Sequence, residues 1–158
     1  MLRVSGWAAI AGGGLRIADT FTTQVLPQST LDVLYFVTDV LLLAGIAGLW
    51  TQRRATLGLA GTIGIAVFVG GILTVRASAF GIGTYQLGSL LALIGLAAYS
   101  GEVLIGGKGA AWAPLLWLTA FAAALSGALA GQAMLWFAVS AVAFGLGFVA
   151  AGVTLLKD

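Results

Sequence analysis

The sequence predicts an all-α integral membrane protein, a bundle of six transmembrane helices with short loops and both termini in the cytoplasm. Hydrophobic residues make up 61% of the chain and charged residues only 8%, whereas a soluble domain has roughly half apolar and about a quarter charged residues. The apolar residues form runs of about 20, the length that crosses the hydrocarbon core. Because only short polar segments separate these runs, residues 1–158 are expected to form a single membrane domain.

Each apolar run is predicted to be a helix, because lipid offers the backbone no hydrogen-bonding partners. The predicted helices cover approximately residues 4–25, 31–51, 55–75, 84–105, 110–129 and 133–156.

Polar residues mark the boundaries of these helices in chain order. Pro27 breaks the first helix, and the segment Ser29–Asp32 is typical of a helix N-cap and starts the second. Arg76 lies at the end of the third helix, ahead of the fourth. Glycines around Lys108 form the turn before the fifth helix, and Gly131 forms the turn before the sixth.

The distribution of positive charge predicts the orientation in the membrane. With the N-terminus inside, Arg76 is the basic residue at an outer helix end, and Arg16 lies within a span. The other basic residues fall at inner ends: Arg3, Arg53, Arg54, Lys108 and Lys157. Aromatic residues near the two interfaces agree with this arrangement, with Tyr35, Tyr85 and Trp136 on the outer side.

Missing residue types exclude several classes of protein. The chain contains neither histidine nor cysteine, so it lacks the usual ligands of zinc and haem, a thiolate nucleophile and the base of a Ser-His pair. We therefore expect no metal site, no cofactor and no enzymatic activity. Its seven basic residues are scattered rather than clustered, which argues against nucleic acid as a partner.

Charged residues inside the first two helices form the main candidate site. Arg16 and Asp39 lie at a similar depth, about 12 Å below the outer boundary, so they are predicted to form an ion pair. Asp19 lies on the same face as Arg16 and is expected to join them, with Arg76 balancing the second carboxylate. The edge of this pocket is expected to be formed by Thr20, Thr23, Gln24 and Thr38. Such charges cost roughly 2.5–3.5 kcal/mol each in the membrane and should face the bundle interior. The alternatives are a structural polar cluster, a solute or ion site, and an interface with another subunit.

Other polar motifs have simpler interpretations. Glu102 is explained by snorkelling to the inner interface. The segment 81–88 lacks the preceding pore helix of a potassium filter. The segment 101–109 lacks the spacing of a phosphate-binding loop. Arg16 between the two aspartates argues against an aspartic protease.

Glycines are predicted to let helices approach closely, as small residues do in membrane proteins. The run Gly12–Gly14 either permits a close neighbour or allows a bend near Arg16. Two inverted three-helix repeats are possible in principle, but Arg16 and Asp19 have no polar counterpart in the fourth helix. The glycines assigned to helix packing are Gly12, Gly13, Gly14, Gly70, Gly127, Gly131 and Gly145.

These observations favour a non-catalytic accessory subunit that assembles or stabilises a larger membrane complex. The alternative is a small-solute or ion transporter or channel whose polar site is formed by Arg16, Asp19 and Asp39, and a weaker alternative is a sensor of hydrophobic ligands. The expected partners are the lipid bilayer and other membrane subunits or further copies of the chain. The short loops and the lack of a targeting segment suggest the inner membrane of a bacterium.

Overall fold

The chain folds into helices that agree with the sequence prediction. The computed structural model describes residues 2–22, 25–78, 80–82, 84–107, 109–130 and 133–157. Within these ranges it contains six helices: α1 (Leu2–Thr22), α2 (Gln28–Arg53), α3 (Leu59–Ser78), α4 (Tyr85–Ile105), α5 (Trp112–Ala130) and α6 (Ala133–Lys157). The predicted all-α fold is confirmed, with helix ends displaced by a few residues.

Five of the described helices, α2 to α6, are long and apolar enough to cross a membrane. Large apolar side chains such as Phe36, Leu73 and Leu135 point away from the bundle and are 56–64% exposed, as expected of a surface in contact with lipid. The helices therefore identify a multi-pass membrane protein. Arg16, Asp19 and several glycines make α1 less apolar than the other helices.

Neighbouring helices run antiparallel, so both termini lie at the same end of the bundle. Gly6 near the start of α1 lies against Gly152 near the end of α6. We call this the terminal end, and the other the opposite end.

Glycines bring the backbones of α1 and α6 into direct contact. A Cβ atom on Gly145 would lie 2.6 Å from the carbonyl oxygen of Gly13, and one on Gly152 would lie 2.5 Å from that of Gly6. No residue larger than glycine fits at these crossings without displacing backbone. Close packing of this kind holds helices together in lipid, where little hydrophobic effect drives their association.

The same arrangement joins α3 to α4. A Cβ atom on Gly64 would lie 2.6 Å from the carbonyl oxygen of Gly95, and one on Gly71 would lie 2.7 Å from that of Gly88. The two glycines on each helix are about two turns apart, as they are on α1 and α6.

The two glycine-packed pairs occupy equivalent places in the chain. The interval from Gly6 to Gly88 equals that from Gly13 to Gly95, so α1 corresponds to α4. The interval from Gly64 to Gly145 likewise equals that from Gly71 to Gly152, so α3 corresponds to α6. Because each half contains three helices, corresponding helices run in opposite directions, as they do in an inverted repeat. The correspondence is confined to these glycine contacts, because α5 packs extensively on α6 whereas α2 packs sparsely on α3. A comparison of polar residues between the two halves does not reveal this relationship, because the corresponding positions are glycines.

A layer of aromatic side chains fills the centre of the bundle. Phe68 of α3 faces Phe148 of α6 with ring centroids 5.7 Å apart. Trp117 of α5 packs edge-on against Phe148 at 5.1 Å and against Tyr99 of α4 at 5.9 Å. These four side chains are at most 2% exposed, so the layer is part of the buried core between the polar residues at the two ends.

The backbone contacts can be tested by replacing individual glycines with alanine. Gly13→Ala and Gly71→Ala each place a methyl group against the backbone of the partner helix. We expect each to lower the free energy of unfolding by about 1–3 kcal/mol, the usual cost of overpacking. Thermal unfolding of the purified protein in detergent measures the effect as a lower Tm.

The neighbouring residues supply matched controls. A Cβ atom on Gly14 or Gly70 meets no atom within 4 Å, so Gly14→Ala and Gly70→Ala should leave Tm unchanged or raise it slightly, because alanine favours helix. If alanine at Gly14 lowered Tm as much as alanine at Gly13, or alanine at Gly70 as much as alanine at Gly71, the assigned helix contacts would be contradicted.

Candidate functional site

The polar residues predicted to form a site lie together at the opposite end of the bundle. α1 contributes Arg16 and Asp19, α2 contributes Thr38 and Asp39, and α3 contributes Arg76. Asp39 forms an ion pair with Arg76, and Thr38 bonds to Asp19. Arg16 interacts electrostatically with both aspartates. The structure therefore brings all five residues into one cluster, which we call the polar cluster.

The ion pair of Asp39 links α2 to α3. Asp39 Oδ2 contacts Arg76 Nε, and the two side chains are 14% and 29% exposed. The sequence prediction that Asp39 pairs with Arg16 was wrong, since the described residues contain no ion pair between them. Consecutive helical residues point about 100° apart. Because Thr38 faces α1, the next residue, Asp39, faces α3. The depth of a residue in the membrane does not show which neighbouring helix its side chain faces.

Arg16 links α1 to α4, across the two repeats. Its Nη2 donates a hydrogen bond to the hydroxyl oxygen of Tyr85 at 3.3 Å. Tyr85 is the first residue of α4, and Thr84 caps this helix by accepting a hydrogen bond from the Leu87 amide at 3.2 Å. Sequence reasoning placed Tyr85 at the outer interface but did not recognise it as a partner of Arg16.

Asp19 is the least exposed charged residue of the polar cluster. It and Thr38 are each only 1% exposed, and the Thr38 hydroxyl donates to Asp19 Oδ2 at 3.4 Å. Asp19 Oδ1 has no hydrogen-bonding partner among the described residues. The same is true of the buried hydroxyl oxygen of Thr22, one turn further along α1. Sequence reasoning missed Thr22, and two other candidates, Thr23 and Gln24, lie outside the described residues.

The charges of the polar cluster are balanced, but their pairing is uneven. Arg16 and Arg76 offset Asp19 and Asp39, as expected where charge is buried in a membrane protein. Asp39 has a direct ionic partner, whereas within the described ranges no basic group lies within 4 Å of Asp19. A buried carboxylate without a direct ion pair is costly. Asp19 therefore differs from Asp39 in having, within these ranges, only the more distant charge of Arg16 to offset its own.

Both polar links cross a weakly packed boundary. α1 packs closely on α2, where a Cβ atom on Gly45 would lie 2.8 Å from that of Ala9. α3 packs equally closely on α4, but α2 and α3 pack much less extensively against each other. The contacts of Arg76 with Asp39 and of Arg16 with Tyr85 therefore hold the α1–α2 and α3–α4 pairs together at the opposite end.

Glu102 has a structural role at the terminal end. Its Oε1 accepts a hydrogen bond from the Gly58 amide, and its Oε2 accepts one from the Gly61 amide at 2.5 Å. These amides belong to the start of α3, where helical N–H groups lack acceptors and negative charge is favourable. Glu102 thus caps α3 from α4, a contact that snorkelling alone does not explain.

Two cavities lie away from the polar cluster. One at the terminal end holds about 10 Å³ between Arg53, Tyr99, Trp117 and Thr154, enough for about one water molecule. The other is an apolar groove of about 330 Å³ over α6, between α1 and α5, with Phe21 among its lining residues.

The predicted packing glycines have different surroundings. Gly12 faces Leu41 and Leu42 of α2, whereas Gly13 faces α6. Gly14 has open space, so the glycine run lets α1 fit between two helices while remaining one continuous helix. Gly127 is buried and Gly145 contacts Gly13, whereas Gly70 has no neighbour within 4 Å, and Gly131 lies outside the described residues.

Metal ligands do not cluster in the described part of the chain. No group of three or more His, Cys, Asp or Glu residues that could hold a metal ion occurs there.

Comparison of the chain with models of protein families, with characterised proteins and with solved structures gives no match. Function must therefore be argued from the chain's own geometry.

The ion pair between Asp39 and Arg76 can be tested by exchanging the two residues. Asp39→Asn or Arg76→Gln leaves the other charge partly buried without its partner, so each should lower the free energy of unfolding by more than about 1 kcal/mol. The exchange Asp39→Arg with Arg76→Asp should recover much of this loss. A double-mutant cycle from thermal unfolding measures the coupling.

Asp32→Asn is the control for this experiment, because Asp32 is an exposed acid on the same helix, bonded to Gln28. It should change Tm little. A coupling energy near zero between Asp39 and Arg76 would show that the pair does not stabilise the boundary between α2 and α3.

Proposed function

We propose that this protein is a small transporter that moves a small solute or ion through the polar cluster. The observation that carries this proposal is the fully buried carboxylate of Asp19, whose Oδ1 has no partner among the described residues. Ionisable groups inside membrane helices are costly and usually mark a route for a substrate or ion. No catalytic activity is expected from a chain that lacks histidine and cysteine.

The inverted repeat supports a transport function. Many transporters consist of inverted repeats, bind substrate where the repeats meet, and alternate between states open to either side. This support is an analogy of architecture and not of residues. The polar cluster meets the same condition, because Arg16 of the first repeat bonds to Tyr85 of the second.

In the proposed topology α1 is a sixth span and both termini are cytoplasmic. α1 packs along α2 and α6, and Asp19 faces the bundle interior. Arg3, Arg53, Arg54 and Lys157 lie at the terminal end, which the positive-inside rule assigns to the cytoplasm. The membrane is proposed to be the inner membrane of a bacterium.

The polar links then act as an outer gate over Asp19. The contact of Arg76 with Asp39 and that of Arg16 with Tyr85 join the α1–α2 and α3–α4 pairs on the outer side. Loss of both links opens a path between these pairs. The aromatic layer lies between Asp19 and the cytoplasm and provides the second barrier.

An accessory subunit is the second candidate. Ala66 of α3 is exposed, and a Cβ atom on Gly70, one turn later, meets no atom within 4 Å. These small residues on an outward face suit the close approach of a helix from another subunit or another copy. A sensor of hydrophobic ligands is a weaker alternative. It is supported by the apolar groove, whose volume of about 330 Å³ suits a small apolar ligand.

Transport can be measured on proteoliposomes adsorbed to a solid-supported membrane. Concentration jumps of NaCl, KCl, ammonium chloride or protons are expected to give a transient current for at least one ion. Asp19→Asn should reduce this current at least tenfold, because it removes the buried charge. Asp32→Asn, the exposed control, should leave the current unchanged.

The accessory function predicts different results from the same material. The wild-type protein would give no current in any jump, and in mild detergent it would copurify with another membrane protein in a fixed ratio. Gly70→Leu should then disrupt that association, whereas it should leave transport by an isolated monomer intact.

The absence of cysteine allows a direct test of orientation with single cysteine variants. Ser29 lies in the first turn of α2 at the opposite end, and Thr56 lies in the α2–α3 loop at the terminal end; both are exposed. In intact cells an impermeant maleimide should label Ser29→Cys, whereas Thr56→Cys should react only after the inner membrane is permeabilised. The reverse pattern would contradict cytoplasmic termini.

A further inference from the structure

We infer that the polar cluster binds a monovalent alkali cation, with sodium as the probe, through Asp19 Oδ1 and the hydroxyl oxygens of Thr22 and Thr38. The inference rests on the proposed transport function, because it names the substrate or coupling ion of the same site. Binding can nevertheless be measured without transport, so the two proposals can fail separately.

The available atoms are all oxygens. Asp19 Oδ1 and Thr22 Oγ1 are buried without a partner in the described chain, and they lie one turn apart on the same face of α1. Thr38 Oγ1 lies beside the Asp19 carboxylate on the α2 side and already donates to Asp19 Oδ2, which leaves its lone pairs free to bind a cation. A set of carboxylate and hydroxyl oxygens suits hard cations rather than soft metals.

Charge favours a monovalent ion. Asp19 is the single carboxylate available, because Asp39 is occupied by Arg76, and no larger group of acidic ligands occurs among the described residues. Calcium sites use several charged oxygens, and magnesium keeps most of its water. One carboxylate with two hydroxyls is matched instead to an ion of single charge.

A cation and a proton differ in the number of oxygens that they engage. A proton on Asp19 Oδ1 donates one hydrogen bond, for which Thr22 Oγ1 is an acceptor with no other partner in the described chain. A cation bound between α1 and α2 also uses the lone pairs of Thr38 Oγ1, whose proton is already donated to Asp19 Oδ2. A response to sodium at constant pH therefore distinguishes the cation from the proton.

Arg16 couples this site to the outer gate. It lies one turn before Asp19 on the same helix face, yet it bonds to Tyr85 on α4. While that bond holds, the guanidinium is engaged by Tyr85 and, in the described chain, forms no direct ion pair with Asp19. When the gate opens and the bond to Tyr85 breaks, Arg16 is free to pair with Asp19 and displace the cation to the outside. Tyr85 is thus a positioning residue for cation affinity.

The test measures Tm of the full chain in nanodiscs as NaCl replaces choline chloride at constant ionic strength and pH. A ligand that binds only the folded state raises Tm with its concentration. We expect Tm to rise with sodium, and this dependence to be lost in Asp19→Asn. Thr22→Val and Thr38→Val should each weaken the apparent Kd at least fivefold.

Two further variants separate binding from stability. Thr20→Val is the matched control, because the Thr20 hydroxyl bonds to the Arg16 carbonyl oxygen of its own helix, and it should leave the sodium Kd unchanged. Tyr85→Phe should weaken the Kd at least threefold, since it releases Arg16. If Asp19→Asn does not fold, binding of radioactive sodium to the wild-type protein and to the threonine variants gives the same readout.

Three results would overturn the inference. Equal Tm values in sodium and choline would exclude a sodium site. A sodium effect that persists in Asp19→Asn would place the site elsewhere. A dependence of Tm on pH alone, lost in Asp19→Asn, would show that Asp19 binds a proton. Transport currents without sodium binding would leave the proposed function intact, whereas sodium binding without current would support this site and contradict transport.

Discussion

Direct contact between glycine backbones is the constraint on which the rest of this structure depends. Where Gly13 meets Gly145 and Gly71 meets Gly88, two helices approach so closely that a single methyl group would displace backbone. In lipid this packing replaces the hydrophobic effect as the force that joins helices. It sets the register of α1 on α6 and of α3 on α4, and thereby the depth of every polar side chain that these helices carry.

The glycine contacts also divide the molecule into parts. The α1–α2 and α3–α4 pairs are each closely packed, whereas α2 and α3 pack less extensively against each other. Polar groups bridge this boundary at the opposite end, through Asp39 with Arg76 and Arg16 with Tyr85. Polar contacts can exchange partners or become hydrated, while interlocked glycines cannot. The polar links at the opposite end are therefore the contacts between the two pairs that can exchange partners, and Asp19 lies beside them.

Polar residues within the apolar segments were recognisable from sequence, but their partners were not. The depth of a residue follows from counting along a helix at a fixed rise, and this correctly brought Arg16, Asp19 and Asp39 to one region. The partner of Asp39 depends on the rotation of α2 about its axis, which the packing of Gly45 and Gly48 on α1 controls. A count of residues contains no information about that rotation. For the same reason the role of Thr22 became visible only from the tertiary structure.

The sequence by itself determined the number, length and helical nature of the apolar segments, because lipid requires each segment to satisfy its own backbone hydrogen bonds. It also determined that charge would be confined to a few positions, since each buried charge is costly. Only the tertiary structure decided which glycines form contacts and which face outward. Gly13 contacts α6, whereas the next residue, Gly14, has open space. It likewise decided that Asp19, rather than Asp39, lacks an ionic partner among the described residues. Both outcomes depend on how helices are rotated against one another, a property that arises only when all the helices pack together.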